Sequence, residues 1–182
     1  PVDSGSAALA FRDFGEYPGG VAFRFRFGSK DLESVTVRPD GVVSFGAPVT
    51  GPASRAALAA AHGAIACGWS DEWDTSSLRL YAGYVPMTKS FRTGEPVHAF
   101  AIEWRHLRRE GWTADRYVSM RLLLFSDGTF RIDVGSLAEL SDMNIVTGYA
   151  GPGAHPVDET LDVSAHSWGG QPAGTMGERV LA

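Results

Sequence analysis

The densest group of metal-binding residue types is Asp71, Glu72 and Asp74, in a stretch of residues 69–74 that also contains two tryptophans. Carboxylate oxygens of this kind are the ligands that Ca²⁺ prefers. A calcium loop needs several such oxygens at fixed spacing, and these three lack the spacing of an EF-hand or another known loop. A polar loop in which one aspartate caps backbone N–H groups at the end of a strand is the stronger interpretation. We therefore expect no metal site, and keep the three carboxylates as weak candidates.

The remaining residues that could do chemistry form no recognisable catalytic motif. Two of the five histidines, His98 and His106, should lie on one face of one strand, about 26 Å apart at the rise of a strand, which is too far to share a metal. The chain has no Gly-x-Ser-x-Gly elbow, phosphate-binding loop or dinucleotide fingerprint. A Ser-His-Asp triad can still form from distant residues, so a secreted hydrolase stays open as an alternative. The sequence predicts a protein without catalytic residues or a cofactor.

Two tryptophans in polar loops are candidates for ligand or interface contacts. Trp112 follows Gly111, and Trp168 precedes Gly169. An exposed tryptophan on a loop can stack on a sugar or anchor a protein contact. It can also fold back over the edge of the core. A carbohydrate-binding module that uses these two rings is therefore an alternative function.

The elements that must position these side chains are short strands. Phe23, Phe25 and Phe27 alternate with arginines, which places the three rings on one face of a strand. Residues 33–46 read as two strands joined by a turn at residues 39–41. Other alternating runs include residues 97–107, 117–125 and 130–134, while residues 86–96 and 105–114 read as loops.

The single helix predicted from the sequence covers residues 53–62, with Ser54 as N-cap and Gly63 as the stop. We read it as a short surface helix crossing one end of the sheets. Together with the strands, this pattern predicts an all-β fold, an antiparallel two-layer β-sandwich with one short helix.

Length and composition are those of a single packed domain. The 182 residues divide into an N-terminal arm (1–8), a β-sandwich (9–168) and a C-terminal tail (169–182). The net charge of -5 argues against nucleic acid binding, which needs a clustered basic face. No apolar run approaches the ~20 residues of a membrane span. The one cysteine, Cys67, lies in an apolar run and is predicted to be buried.

Several fragments in this order resemble the extracellular nidogen-type (NIDO-like) β module. They are the stretches at residues 23–28, 37–46, 65–74, 78–81, 100–104, 122–130 and 147–151. The resemblance spans about residues 11–151, with Cys67-Gly68 standing where the family often has Pro-Phe. It implies an adhesive or scaffolding domain of secreted and cell-surface proteins, without catalysis.

The two ends of the chain are the predicted points of assembly. Open sheet edges accept added strands, and residues 2–10 and 175–182, which include Val180 and Leu181, are short enough to be such strands. Either this chain or a neighbouring copy can hold them. Because the chain begins at Pro1, we expect a processed, secreted protein. The use of 14 arginines against 2 lysines, with a single asparagine (Asn144), is typical of a GC-rich genome and indicates a bacterial source. Its expected partners are other copies of itself, as in an extracellular filament, or neighbouring surface proteins.

Overall fold

The structure, a computed structural model, describes residues 6–14, 23–27, 30–61, 63–90, 93–135, 143–151 and 174–180. The fold is all-β and antiparallel with one short helix, as predicted. The strands are β1 (Ala7–Ala10), β2 (Phe25–Phe27), β3 (Lys30–Leu32), β4 (Ser34–Val37), β5 (Val42–Ser44), β6 (Ala64–Trp69), β7 (Trp73–Asp74), β8 (Arg79–Lys89), β9 (Pro96–Arg109), β10 (Val118–Phe125), β11 (Thr129–Val134), β12 (Val146–Ala150) and β13 (Gly174–Val180). The helix is α1 (Arg55–Ala60), and two 3-10 turns cover Phe11–Phe14 and Thr75–Ser77.

The strands form two main sheets. The five-stranded sheet has the order β1-β4-β5-β6-β12, and the six-stranded sheet has the order β13-β11-β10-β9-β7. β8 is hydrogen-bonded to β9 as well, while β2 and β3 form a separate hairpin. Both terminal strands pair with this chain's own sheets, β1 with β4 and β13 with β11.

One large core collects side chains from both sheets and from β2. The predicted alternation in β2 is confirmed, because Phe23, Phe25 and Phe27 are buried and the arginines between them are exposed. In the same cluster lie Ile65 of the five-stranded sheet and Leu122 of the six-stranded sheet. The two-layer arrangement of a sandwich, the finer part of the fold prediction, stays a prediction.

A second, smaller core lies on the opposite face of the five-stranded sheet. Ala64 and Ala66 of β6 belong to it, whereas their neighbours Ile65 and Cys67 belong to the main core. Helix α1 covers this face through the buried Leu58. The predicted N-cap is confirmed, since the Ser54 hydroxyl accepts a hydrogen bond (3.1 Å) from the backbone N–H at the third helical position. Within the described residues, no helix is long and apolar enough to cross a bilayer.

The turn between β4 and β5 ties the two sheets together. The Arg38 guanidinium donates to the Asp40 carboxylate (Nε to Oδ1, 3.1 Å), and the Trp69 indole donates to the same carboxylate (3.0 Å). From the other sheet, the indole of Trp104 donates to the Arg38 carbonyl (2.9 Å). Burial raises the pKa of Asp40 more than these partners lower it. The central hairpin is therefore an architectural element, anchored by polar groups with hydrogen-bond partners.

Candidate functional site on the outer face of the six-stranded sheet

The three carboxylates of the acidic stretch are directed to three different partners. Asp71 accepts the backbone N–H of the loop before α1 with both oxygens (2.9 Å each). Glu72 forms an ion pair with Arg109 (2.8 Å), and Asp74 caps a 3-10 turn by accepting the Ser76 N–H (2.9 Å). Hydrogen bonds from Ser76 lower the pKa of Asp74. The predicted capping role is confirmed, and in the described part of the chain no group of three such residues could hold a metal ion.

The loop tryptophan inside the described residues folds back over the core. Trp112 is half-buried, and its ring meets the buried Trp73 edge-on at 6.4 Å. The guanidinium of Arg116 lies 4.7 Å from the centre of the Trp112 ring. Trp112 therefore acts as a lid over the core edge, which was the alternative interpretation of its sequence context. Trp168 and Leu181 lie outside the described residues. Val180 ends β13 opposite Thr129.

The exposed large hydrophobic side chains gather elsewhere. Among the described residues these are Tyr81, which is 44% exposed, and Tyr117, which is 52% exposed. Tyr81 lies on β8, and the guanidinium of Arg105 stacks over its ring, 4.6 Å from the ring centre. Tyr117 precedes β10 and meets the His106 ring edge-on at 4.8 Å. Two tyrosines distant in sequence are thus joined through two consecutive residues of β9.

A β-bulge explains how consecutive residues reach the same face. Trp104 pairs with Met120 and Leu107 pairs with Val118. Two residues of β9 therefore lie between these pairs, opposite a single residue of β10, which is the definition of a β-bulge. Trp104 and Leu107 are both fully buried, so the two residues between them both point outward. His106, one of this pair, has a φ of 62°, a left-handed conformation that costs a residue with a side chain about 1–2 kcal/mol.

This bulge corrects the prediction that His98 and His106 share one face of a strand. His98 has the same alternation phase as the inward-facing Phe100 and Ile102, whereas the bulge turns His106 outward. The extra residue shifts the period-2 pattern by one position. The chemical conclusion is unchanged, because the two side chains remain far apart along β9.

A row of charges crosses the outer face, the face of the six-stranded sheet turned away from the main core. The register places Tyr81, Glu103, Arg121 and Asp133 side by side on four neighbouring strands. Arg105 donates to Glu103 (Nε to Oε2, 2.7 Å), and Arg121 donates to Asp133 (Nη2 to Oδ2, 2.7 Å). We call this surface the outer-face platform; its residues are Tyr81, Glu103, Arg105, His106, Tyr117, Arg121 and Asp133.

The strongest ionic anchor of the platform is Asp133. Burial raises the pKa of this carboxyl group, but hydrogen bonds and positive charge from Arg121 and Arg131 outweigh it, so the pKa is lowered. Asp133 therefore stays ionised at neutral pH and holds both guanidinium groups in fixed positions.

Next to the charged row lies a hollow. Gly83 and Ala101, which face each other across β8 and β9, have the smallest side chains of the neighbouring row. Together with Tyr81, Glu103 and Arg105 they line an open depression of about 270 Å³. The hollow exists because the small pair Gly83 and Ala101 lies next to the larger pair Tyr81 and Glu103 in the β8–β9 register.

Comparison of this chain with protein-family models, with curated proteins and with solved structures found no match. The nidogen-type resemblance accordingly stays a prediction. Sequence reasoning missed the platform, because its residues occupy the polar positions of ordinary alternating strands. One signal was present, the break in alternation between Trp104 and Leu107.

Proposed function

We propose that this chain is a non-catalytic secreted or cell-surface β module for adhesion or self-assembly, and that the outer-face platform is its contact surface. The observation that carries the proposal is the convergence of Tyr81 and Tyr117 on one sheet face among arginines. Tyrosine and arginine are the residue types that most often dominate binding energy in interfaces.

The chemistry of the platform favours binding over catalysis. Its carboxylates are engaged by guanidinium groups, Glu103 by Arg105 and Asp133 by Arg121. The lowered pKa of Asp133 makes it a poor proton donor or base at neutral pH, where a catalytic acid or base needs a pKa near the working pH. The rigid ion pairs instead hold tyrosine and arginine side chains in place, which lowers the entropy lost on binding.

The charge of the sheet face around the platform favours an acidic partner. The chain as a whole carries a net charge of -5, yet four arginines (Arg79, Arg105, Arg121 and Arg131) occupy outward positions on β8–β11, against the acidic residues Glu103 and Asp133 there and Glu178 opposite Arg131 in the register of β13. A second copy presents excess negative charge elsewhere on its surface, and complementary charge directs and accelerates association. Assembly through exchanged tails is the other route, in which β1 or β13 of one copy would replace the same strand of its neighbour.

The test is size-exclusion chromatography with light scattering over a range of concentrations. For self-assembly, the wild-type mass should rise above the 19.5 kDa of one chain, and the double variant Tyr81→Ala/Tyr117→Ala should return it to that value. Arg24→Ala, which removes an exposed arginine outside the platform, should leave the mass as in the wild type. Deletion of residues 1–8 or 175–182 tests the tail route, which is excluded if both deletions assemble normally.

Adhesion needs a second readout. Beads coated with the wild-type chain should cluster or attach to cells, and beads coated with the double variant should do so much less. A chain that stays monomeric at every concentration, and whose beads neither cluster nor attach, would overturn the proposed function.

A further inference from the structure

The geometry points to the hollow beside Tyr81 as a binding site for one sugar unit of an acidic polysaccharide, an inference that rests on the proposed function because it names a ligand for the same platform. It differs from the carbohydrate hypothesis based on the sequence, which used Trp112 and Trp168. The site is built instead from β8 and β9, on a face whose backbone is fixed by sheet hydrogen bonds.

The hollow is apolar on one side and polar on the other. Its floor is Gly83 and Ala101, and Val85 closes its apolar side. Glu103 and Arg105 close the opposite side. At about 270 Å³ it falls below the roughly 300–1,000 Å³ of sites for drug-sized ligands, so it suits a single ring. A sugar ring has the same division, with C–H groups on its faces and hydroxyl groups at its edge.

The polar side offers both kinds of hydrogen bond that neighbouring hydroxyl groups need. Glu103 is held between Arg105 (2.7 Å) and Arg121 (3.9 Å), and a carboxylate has about four acceptor positions, so it can also accept from a ligand hydroxyl. Arg105 supplies donors beside it, with its guanidinium stacked on Tyr81. One hydroxyl can then donate to Glu103 while its neighbour accepts from Arg105, in charge-assisted hydrogen bonds.

A pair of facing arginines supplies the preference for an acidic sugar. Arg79 and Arg105 are directly opposite each other in the β8–β9 register, next to the row of Tyr81 and Glu103. Like charges in that position repel each other. Glu103 already offsets the charge of Arg105, which leaves the exposed Arg79 as the excess positive charge of this pair. A carboxylate of the ligand would offset this excess charge, and arginine is well suited to carboxylates because it can donate two parallel hydrogen bonds.

The experiment is affinity electrophoresis of the full chain through gels that contain polygalacturonate or, as the neutral polymer, dextran. Polygalacturonate should retard the wild-type chain, and dextran should not. Gly83→Leu should weaken retardation at least tenfold, because the new side chain fills the hollow. A Cβ added at Gly83 has no heavy atom within 4 Å, so the fold should tolerate the substitution. Ala8→Leu, at an exposed alanine of β1, is the matched control and should bind as the wild type does.

Arg79→Gln is a second variant that keeps the test decisive if Gly83→Leu fails to fold. It removes one of the facing charges at an exposed position and should weaken binding to polygalacturonate at least threefold. Circular dichroism of each variant checks the fold. The inference is overturned if polygalacturonate does not retard the wild type, if dextran retards it equally, or if the folded variants bind as the wild type does. If the chain self-associates through Tyr81 and Tyr117 but is not retarded by polygalacturonate, this inference is wrong and the proposed function stands.

Discussion

Deleting His106 should leave the protein folded, although the deletion falls inside the 14-residue strand β9. His106 is the extra residue of the bulge, so its removal leaves Trp104, Arg105 and Leu107 in regular alternation opposite three residues of β10. Both buried neighbours keep their inward direction, because the period-2 pattern becomes continuous. We expect the free energy of unfolding to stay within about 2 kcal/mol of the wild-type value.

The magnitude follows from three contributions. Removing the left-handed residue relieves about 1–2 kcal/mol. The deletion loses the hydrogen bond from the Ser77 hydroxyl to the His106 carbonyl (3.1 Å), about 0.5–1.5 kcal/mol. It also loses the ring contact between His106 and Tyr117, again about 0.5–1.5 kcal/mol. These contributions largely cancel.

The matched control is deletion of Ala101 from the same strand. Phe100 and Ile102 on either side are fully buried, and without Ala101 the alternation cannot keep both of them inside. Removing large core side chains from their sites costs about 2–5 kcal/mol each, so this variant should be largely unfolded. The assay is guanidinium unfolding followed by tryptophan fluorescence. If deleting His106 destabilises the chain as much as deleting Ala101, His106 is not the extra residue of a bulge.

Three further predictions concern the core and its charges. Gly68→Ala should lower the free energy of unfolding in denaturant by about 2–5 kcal/mol, because an added Cβ lies 2.5 Å from the Met120 sulfur and the backbone is left-handed (φ 98°). The control Gly83→Ala should change it by less than about 0.5 kcal/mol, because a Cβ there has no heavy atom within 4 Å. The pKa of Asp133 is lower in the folded than in the unfolded protein, so this residue stabilises the fold above the unfolded-state pKa of about 3.9. That stabilisation is lost as the pH falls through the lower folded-state pKa, so the free energy of unfolding of Asp133→Asn should depend less on pH at the acid end. Equal acid sensitivity in the two proteins would contradict this. Burial raises the pKa of the Cys67 thiol, so a thiol reagent should label native protein far more slowly than unfolded protein, and equal rates would show that the site is accessible.

Much of the fold follows from local patterns in the sequence. The central hairpin was predictable from alternation around a Pro-Asp-Gly turn, and the helix start from the Ser54 cap. Cys67 is buried, as its apolar neighbours indicated. Each of these depends on residues close together in the chain, where propensity and periodicity act directly.

The errors came from contacts between distant segments. Residues 86–96 were predicted to be a loop, yet β8 continues to Lys89 and passes through Pro86. A proline interrupts a strand only where its missing N–H was needed, and in the described part of the chain β8 pairs on one side, with β9. A register shift between Val85 and Thr88 accommodates it. Similarly, β9 runs to Arg109 because β7 pairs with its end, which nothing near residue 109 indicates.

The platform depends on register in the same way, which is why no motif predicts it. Glu103, Arg121 and Asp133 each occupy a solvent-facing position that would be unremarkable in an isolated strand. A shift of two residues between β10 and β11 would keep every apolar side chain on its face and still separate Arg121 from Asp133. The turn between these strands prevents that shift, since Asp127 accepts hydrogen bonds from the Thr129 N–H (3.0 Å) and hydroxyl (2.7 Å). The turn and the bulge at His106 therefore determine the platform as much as its side chains do. A search for related sites should compare which side chains lie side by side on neighbouring strands.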